Sequence, residues 1–316
     1  MPRMIARRVL YGFLILNVMT VALFVLVRMV PGDPVRAQLA DAAVSEEQLA
    51  ELTAELGLDA PIAVQLGRWY ADAARGDLGE SYALGRPVTE VIAERLPVTL
   101  ELTVMAVLLG VVVGLAAGAV SAARRGSWID NIVRVGAALG LSMPNFWIGL
   151  LLISFVSVVL GWLPPLSYRG PTEDLGTNLA QLVLPAIALA VGLSASIARM
   201  SRSAMLDVLG SDFVRTLRAK GSSEFTVFRH ALRNSLIPVL TLVGVQLGAL
   251  LGGTVILEQI FALPGLGRTV FEAVGNRDYP LLQVSVLLFG FLFITINLLV
   301  DISYGVVNPR MRATSR

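Results

Sequence analysis

Few side chains in this 316-residue sequence could do covalent chemistry. There is one histidine, His230, and no cysteine. Structural and catalytic zinc sites draw on several His or Cys ligands, so no metal centre is expected. Without thiols there is no disulfide or thiolate chemistry. His230 lies in a basic stretch whose nearest acid is Glu224, which does not make a Ser–His–acid hydrolase. No GxxxxGK[ST] loop is present, because Lys220 follows Ala219; ATP is not expected to bind this chain through such a loop. What remains are acids at the edges of apolar runs: Glu101, Glu258 and Asp301. Acids inside a membrane can relay protons or line a path. A chain with no catalytic constellation is read as a non-enzyme that needs no cofactor of its own.

Composition supports that direction. The sequence is 55% hydrophobic and 15% charged, against about 25% charged in soluble domains. A net charge of +2 does not suggest a nucleic-acid partner. The natural partner is a lipid bilayer. Six runs reach the roughly 20 apolar residues a spanning helix needs: Val9–Val30, Val98–Val120, Ile132–Leu160, Leu182–Ala198, Leu236–Leu257 and Leu281–Val300. The first is too long for a signal peptide and lacks a small-residue cleavage site after it, so it is expected as a retained helix. The expected fold is an all-α, six-helix polytopic membrane protein.

The cations set the expected orientation. Most of the 25 Lys and Arg residues fall in the N-terminus, the second–third and fourth–fifth connections, and the tail with Arg310, Arg312 and Arg316. By the positive-inside rule these face the cytoplasm, both termini included. The expected organisation is 1–30 as cytoplasmic N-terminus and first span, 31–97 as a small extracytoplasmic subdomain, 98–309 as the core, and 310–316 as a cytoplasmic tail. Within 31–97, Ser45 and Gln48 form a capping box ahead of a short helix that Gly57 stops. Pro87–Pro97 is expected as a separate helix along the membrane surface. This outer part could be a lid on the bundle or a docking face.

Two stretches could form a path. SMPNFW, with Ser142, Met143, Pro144, Asn145 and Phe146, puts a proline and polar side chains inside the third span. Proline removes a backbone hydrogen bond and kinks a helix. Ser142 could equally bond to its own backbone. Glycines and prolines break the outer segment Leu257–Pro280, which makes Glu258 a candidate cavity residue or a plain interfacial acid. The stripes Gly110/Gly114/Gly118 and Gly244/Gly248/Gly252 suit close helix approach, within the chain or to a second subunit.

The most informative segment is DFVRTLRAKG, from Asp212 to Gly221. Gly210 can end the helix before it, and Ser211 or Asp212 can cap the next one. Phe213 and Leu217, four apart, share a face; Arg215 and Arg218 point elsewhere. Gly221 stops the turn, and Ser222, Ser223 and Glu224 open another helix. A membrane-surface loop would account for the cations but not for this punctuation or the apolar knob.

DFVRTLRAKG followed by HALRNSLIP resembles the cytoplasmic coupling motif of binding-protein-dependent ABC importer permeases. It looks most like the first permease subunit of the dipeptide/oligopeptide/nickel group. RMVPGDPV, ELGLDAPIAVQ, GDLGESY, RLPVTLELT, SMPNFWIGLLL, LPGLGR and NRDYPLLQ extend the likeness over nearly the whole chain. The general family motif is E-A-A, three residues, Gly, nine residues and I-x-L-P. Gly221 fills the glycine position and Ala219 lies near the alanines, whereas Ala231 and Asn234 stand where that motif has Ile and Pro.

The resemblance implies a type I importer permease fold with coupling region 201–235. Asp212, Phe213, Arg215, Leu217, Ala219, Lys220 and Gly221 would meet a cytoplasmic ATPase. The implied partners are a second permease, two ATPase subunits or domains carrying ATP and magnesium, and an extracytoplasmic substrate-binding protein. The implied setting is the bacterial inner membrane and the implied cargo a di- or oligopeptide. Nickel chelates or haem are alternatives within the group. A proton-driven secondary transporter is the rival class, and it would need acids deeper in the spans.

Overall fold

The computed structural model describes residues 2–29 and 45–307. Residues 30–35 of the RMVPGDPV stretch, the Asp301 side chain and the three tail arginines lie outside the described residues. The described chain is almost wholly α-helical. Its helices are α1 (Pro2–Met29), α2 (Glu46–Glu55), α3 (Ile62–Ala73), α4 (Val88–Ala123), α5 (Trp128–Ser142) and α6 (Asn145–Leu160). α7 (Leu175–Leu209), α8 (Asp212–Ala219), α9 (Glu224–Ile260), α10 (Leu266–Gly275) and α11 (Tyr279–Val307) follow. Five of them are long and apolar enough to cross a membrane, and the α5–α6 pair makes a sixth if it is one span. Contacts divide the chain into two units, 1–99 with 264–295 and 100–263 with 296–316.

In the first unit, the Ser45–Gln48 capping box starts α2, and Gly57 follows the helix at φ +64°. Arg28 at the end of α1 donates to Gln65 on α3 at 2.7 Å, and its guanidinium lies 3.4 Å from the centroid of the Phe24 ring. Tyr70 donates to Asn17 at 3.1 Å, a second tie between α3 and α1. The apolar core joins Val27, Val88, Val91, Ala273, Tyr279, Leu281, Leu282 and Val284. Asp278 is fully buried beside it. Its carboxylate accepts from the Ser81 hydroxyl, the Ala83 N–H and the Leu281 N–H at the start of α11.

The expected break at Pro97 is corrected: Pro97 lies inside α4. Val88, Val91, Val98 and Leu102 are all buried. They lie 3, 7 and 4 apart, on one helix face on both sides of the proline, so burial holds the helical register against the lost backbone bond.

In the second unit α7 is the hub, packing against α5, α6 and α9. Of its most apolar window 61% is buried, against 17% for α1. The glycines of α4 meet α7. A Cβ on Gly110 would sit 2.7 Å from Leu193, and one on Gly114 2.7 Å from the Ser194 carbonyl oxygen. A Cβ on Gly118 would lie 2.6 Å from the Ala198 carbonyl oxygen. This stripe therefore serves packing within the chain. On α9 only part of the stripe does the same, with Gly244 against Val300 and Gly252 facing open space.

The third expected span is also corrected. The helix does not bend through Pro144; it breaks there by 107°. Met143 is extended at φ −90° and ψ 128°, and Pro144 precedes α6 as its N-cap. Proline disfavours the α conformation in the residue before it, and the short polar run offers no buried face to oppose that. Conversely, α9 opens at Glu224, as expected, and runs unbroken through Pro238.

Candidate coupling helix and translocation cavity

α7 ends at Gly210, and the Ser211 hydroxyl donates to the Val208 carbonyl at 2.6 Å. The eight residues of α8 follow, and Gly221 turns the chain at φ +80°. That is the left-handed region where glycine is favoured. Ser223 then caps α9, its hydroxyl accepting from the Thr226 N–H at 3.3 Å. α8 is thus a short helix held between two tight turns.

Val214 roots α8 in the protein at 0% exposure. Phe213 lies on the other side, 47% exposed, with its ring edge-on to His230 at 6.1 Å. Leu217 is half-buried, while Asp212, Arg215, Ala219 and Lys220 are exposed. Arg215 pairs with Asp212 at 3.2 Å. Arg218 makes a two-point contact with Glu224, at 2.8 and 3.0 Å, which bridges the Gly221 turn. The outcome is a projecting tip with an aromatic knob and a cationic edge, as expected from the spacing. The root, Val214, was hidden in the sequence because one valine among charged residues carries no periodic signal.

The SMPNFW residues divide. Met143 and Asn145 line a cavity of about 200 Å³ with Gly140, Leu189, Gly192, Ser196, Gln246 and Leu250. Asn145 is wedged between two glycines. Added Cβ atoms on Gly192 and Gly253 would each approach its amide to 3.4 Å. Gln246 donates to Ser196 at 3.5 Å across this cavity. Ser142, Pro144 and Phe146 do not line it; the Ser142 hydroxyl donates to the Ala138 carbonyl at 2.9 Å, the local option left open above. Leu141 and Ser196 also line a second cavity of about 800 Å³ with Arg134, Ala138, Arg199, Met200, Arg202, Ser203 and Leu242.

Glu258 lines neither of these two cavities. α9 continues past it to Ile260, and its side chain is fully buried. The irregular backbone expected around it begins only at Phe261.

Glu101 is also engaged. It accepts from Tyr168 at 2.6 Å and from Asn178 at 3.1 Å, while Gln181 donates to the Pro165 and Ser167 carbonyls. Burial, together with that carboxylate, pushes the Tyr168 hydroxyl above its ordinary pKa. These bonds pin the 161–174 connection onto α7. Tyr168→Phe should loosen that loop, with faster amide exchange over 165–170, because the Glu101 carboxylate loses its shortest donor. Unchanged exchange there would show that Asn178 suffices.

Asp130, 1% exposed, was not singled out by sequence. It accepts from Arg202 at 2.7 and 2.8 Å, from Ser121 at 2.5 Å and from the Gly126 N–H at 3.0 Å. One carboxylate therefore joins α4, its following turn, α5 and α7. Its partner lies 72 positions away, beyond any local pattern, and Arg202 in the sequence is simply one of many cations.

Together, a membrane-type helical bundle, a broken helix beside a polar cavity and a projecting amphipathic helix define a multi-pass transport permease. Residues 98–313 match the family described as binding-protein-dependent transport system inner membrane component, and residues 1–103 match its N-terminal region family. The chain belongs to this family. It is 43% identical, over 99% of each chain, to a Brucella abortus protein named as a peptide transport system permease. It is 39% identical to the dipeptide transport system permease DppB of Alkalihalophilus pseudofirmus, covering 97% of this chain and 98% of DppB. It is 40% identical to the glutathione transport system permease GsiC of Escherichia coli, over 94% of each. Among solved structures, the inward-facing methionine ABC transporter MetNI has a chain matching at TM-score 0.57 and 21% identity, over 70% of this chain and 97% of that one. That likeness concerns the fold, a type I importer permease.

Proposed function

We propose that this permease forms half of the path of an ATP-driven peptide importer, with ATP hydrolysed on separate subunits. The observation that carries the reading is α8: an exposed aromatic and cationic tip on a buried root, between two turns. Such a tip suits a cleft in a cytoplasmic ATPase, and the peptide-permease names of the relatives supply the cargo class. Asp212, Phe213, Arg215, Leu217, Ala219, Lys220 and Gly221 are the coupling residues in this reading, with Val214 as the anchor. A second permease completes the pathway, a binding protein delivers peptide from outside, and both termini face the cytoplasm of a bacterial inner membrane. Two packings of the helices alternate, and ATPase closure against α8 biases their equilibrium. Met143 and Asn145 belong to the pathway; Ser142, Pro144 and Phe146 shape the break beside it. Bound cofactors are not required of this chain.

Affinity purification of the tagged chain in mild detergent should bring a second permease, ATPase subunits and a binding protein. Phe213→Asp should leave insertion intact and reduce peptide uptake at least about tenfold, since an acid replaces the apolar contact. Gly221→Pro should do the same, because proline cannot adopt a positive φ. Normal uptake by both variants, or a chain that purifies alone and transports on a proton gradient, would refute the coupling assignment.

A further inference from the structure

Among the described residues, Arg134 on α5 and Arg199 on α7 have no ion-pair partner, yet both line the 800 Å³ cavity. No carboxylate contributes to that wall. The third guanidinium there, Arg202, is already held by Asp130. The Ser203 hydroxyl adds a donor, whereas that of Ser196 is spent on the Gly192 carbonyl; Ala138, Leu141, Met200 and Leu242 supply apolar surface. Arg134 and Arg199 are both exposed in this chain, and a guanidinium fork favours a planar anion, which it can bind through two parallel hydrogen bonds. The adjoining cavity at the α5–α6 break offers the neutral amides of Asn145 and Gln246 instead. Polarity therefore changes along the path, from neutral amides at the break to unpaired cations toward the end of α7 that leads to α8.

We infer that Arg134 and Arg199 form a carboxylate subsite that receives the C-terminus of a peptide in transit. This rests on the peptide reading above. The wall has no acid for the peptide's ammonium, so the carboxylate end is the one held. The amide-lined break admits the uncharged middle of the ligand. Arg202 takes no part, because its fork is committed to Asp130.

The test uses the purified importer containing this chain, in phosphatidylcholine nanodiscs without the binding protein. Alanyl-alanine and its C-terminal amide are titrated calorimetrically. Wild type should prefer the free acid at least roughly tenfold, about one charge-assisted hydrogen bond. Arg134→Gln/Arg199→Gln should abolish that preference, and Arg134→Lys/Arg199→Lys should keep part of it, which separates lost charge from lost folding. Equal affinity for acid and amide in wild type overturns the subsite, as does a preference that survives the double glutamine variant. Co-purified phosphatidylglycerol that is lost from the glutamine variant and blocks the peptide would reassign the arginines to a lipid phosphate and equally overturn it. Uptake of alanyl-alanine by the complete importer is measured separately. If uptake fails while the acid preference holds, the peptide reading falls and the carboxylate subsite stands.

Discussion

Replacing Arg202 with alanine is expected to destabilise the second unit by about 3–5 kcal/mol, the usual cost of removing one partner of a buried ion pair. Asp130 is 1% exposed and would keep only the Ser121 hydroxyl and the Gly126 N–H as donors. The Asp130→Ala/Arg202→Ala double variant should cost clearly less than the two single changes summed, because it removes the uncompensated charge as well as the pair. Thermal unfolding of the purified chain in detergent reads both effects. An Arg202→Ala protein that melts like wild type would mean that water reaches Asp130. Function should suffer beyond stability. Arg202 lies seven residues before the end of α7 at Leu209, just ahead of α8. Once the α5–α7 tie is cut, movement of α8 should no longer reach the broken helix α5–α6. In the assembled importer, the expected signature is ATP hydrolysis that persists while peptide uptake is lost.

The second large effect is expected at Gly118. A leucine there must displace the Ser201 side chain and also the backbone of α7, because even its Cβ falls 2.6 Å from the Ala198 carbonyl oxygen. A flexible side chain could yield; a helix backbone in the most buried part of the unit cannot do so cheaply. Overpacking of this kind costs about 1–3 kcal/mol in general, and the upper end applies where main chain is the obstacle. Gly136→Ala is the contrasting case. Nothing lies within 4 Å of the added carbon, so only helix propensity changes, by about 1 kcal/mol in favour of alanine. If Gly118→Leu and Gly136→Ala melt alike, α4 and α7 are not in the close contact described.

Local chemistry made several elements legible. The Ser45–Gln48 box and the turns at Gly57 and Gly221 follow from constraints spanning three or four residues, and the structure places each of them; Ser211 stands at the start of α8, but its hydroxyl bonds back to Val208 and not into α8. Proline was the weak point. The same residue breaks the chain at Pro144 and is absorbed at Pro97 and Pro238. The intrinsic penalty is similar at all three, and the outcome follows the buried face that opposes it. At Pro97 buried positions flank it on one face, Val88 and Val91 before it and Val98 and Leu102 after it; at Pro144 the exposed Ser142 and Phe146 flank the break.

The sequence by itself determined the apolar helices, the short helix α8 with its knob and cations, and membership of a permease family. These depend on composition, short-range spacing and motifs. Tertiary structure alone decided which polar residues are structural and which face a cavity. Glu258 is fully buried and Glu101 anchors a loop, whereas Asn145, Gln246, Arg134 and Arg199 line the cavities. It also joined Asp130 to Arg202. The physical reason is that a buried polar group must find a partner, and that partner is chosen by helix packing between residues far apart in the chain, which no local pattern encodes.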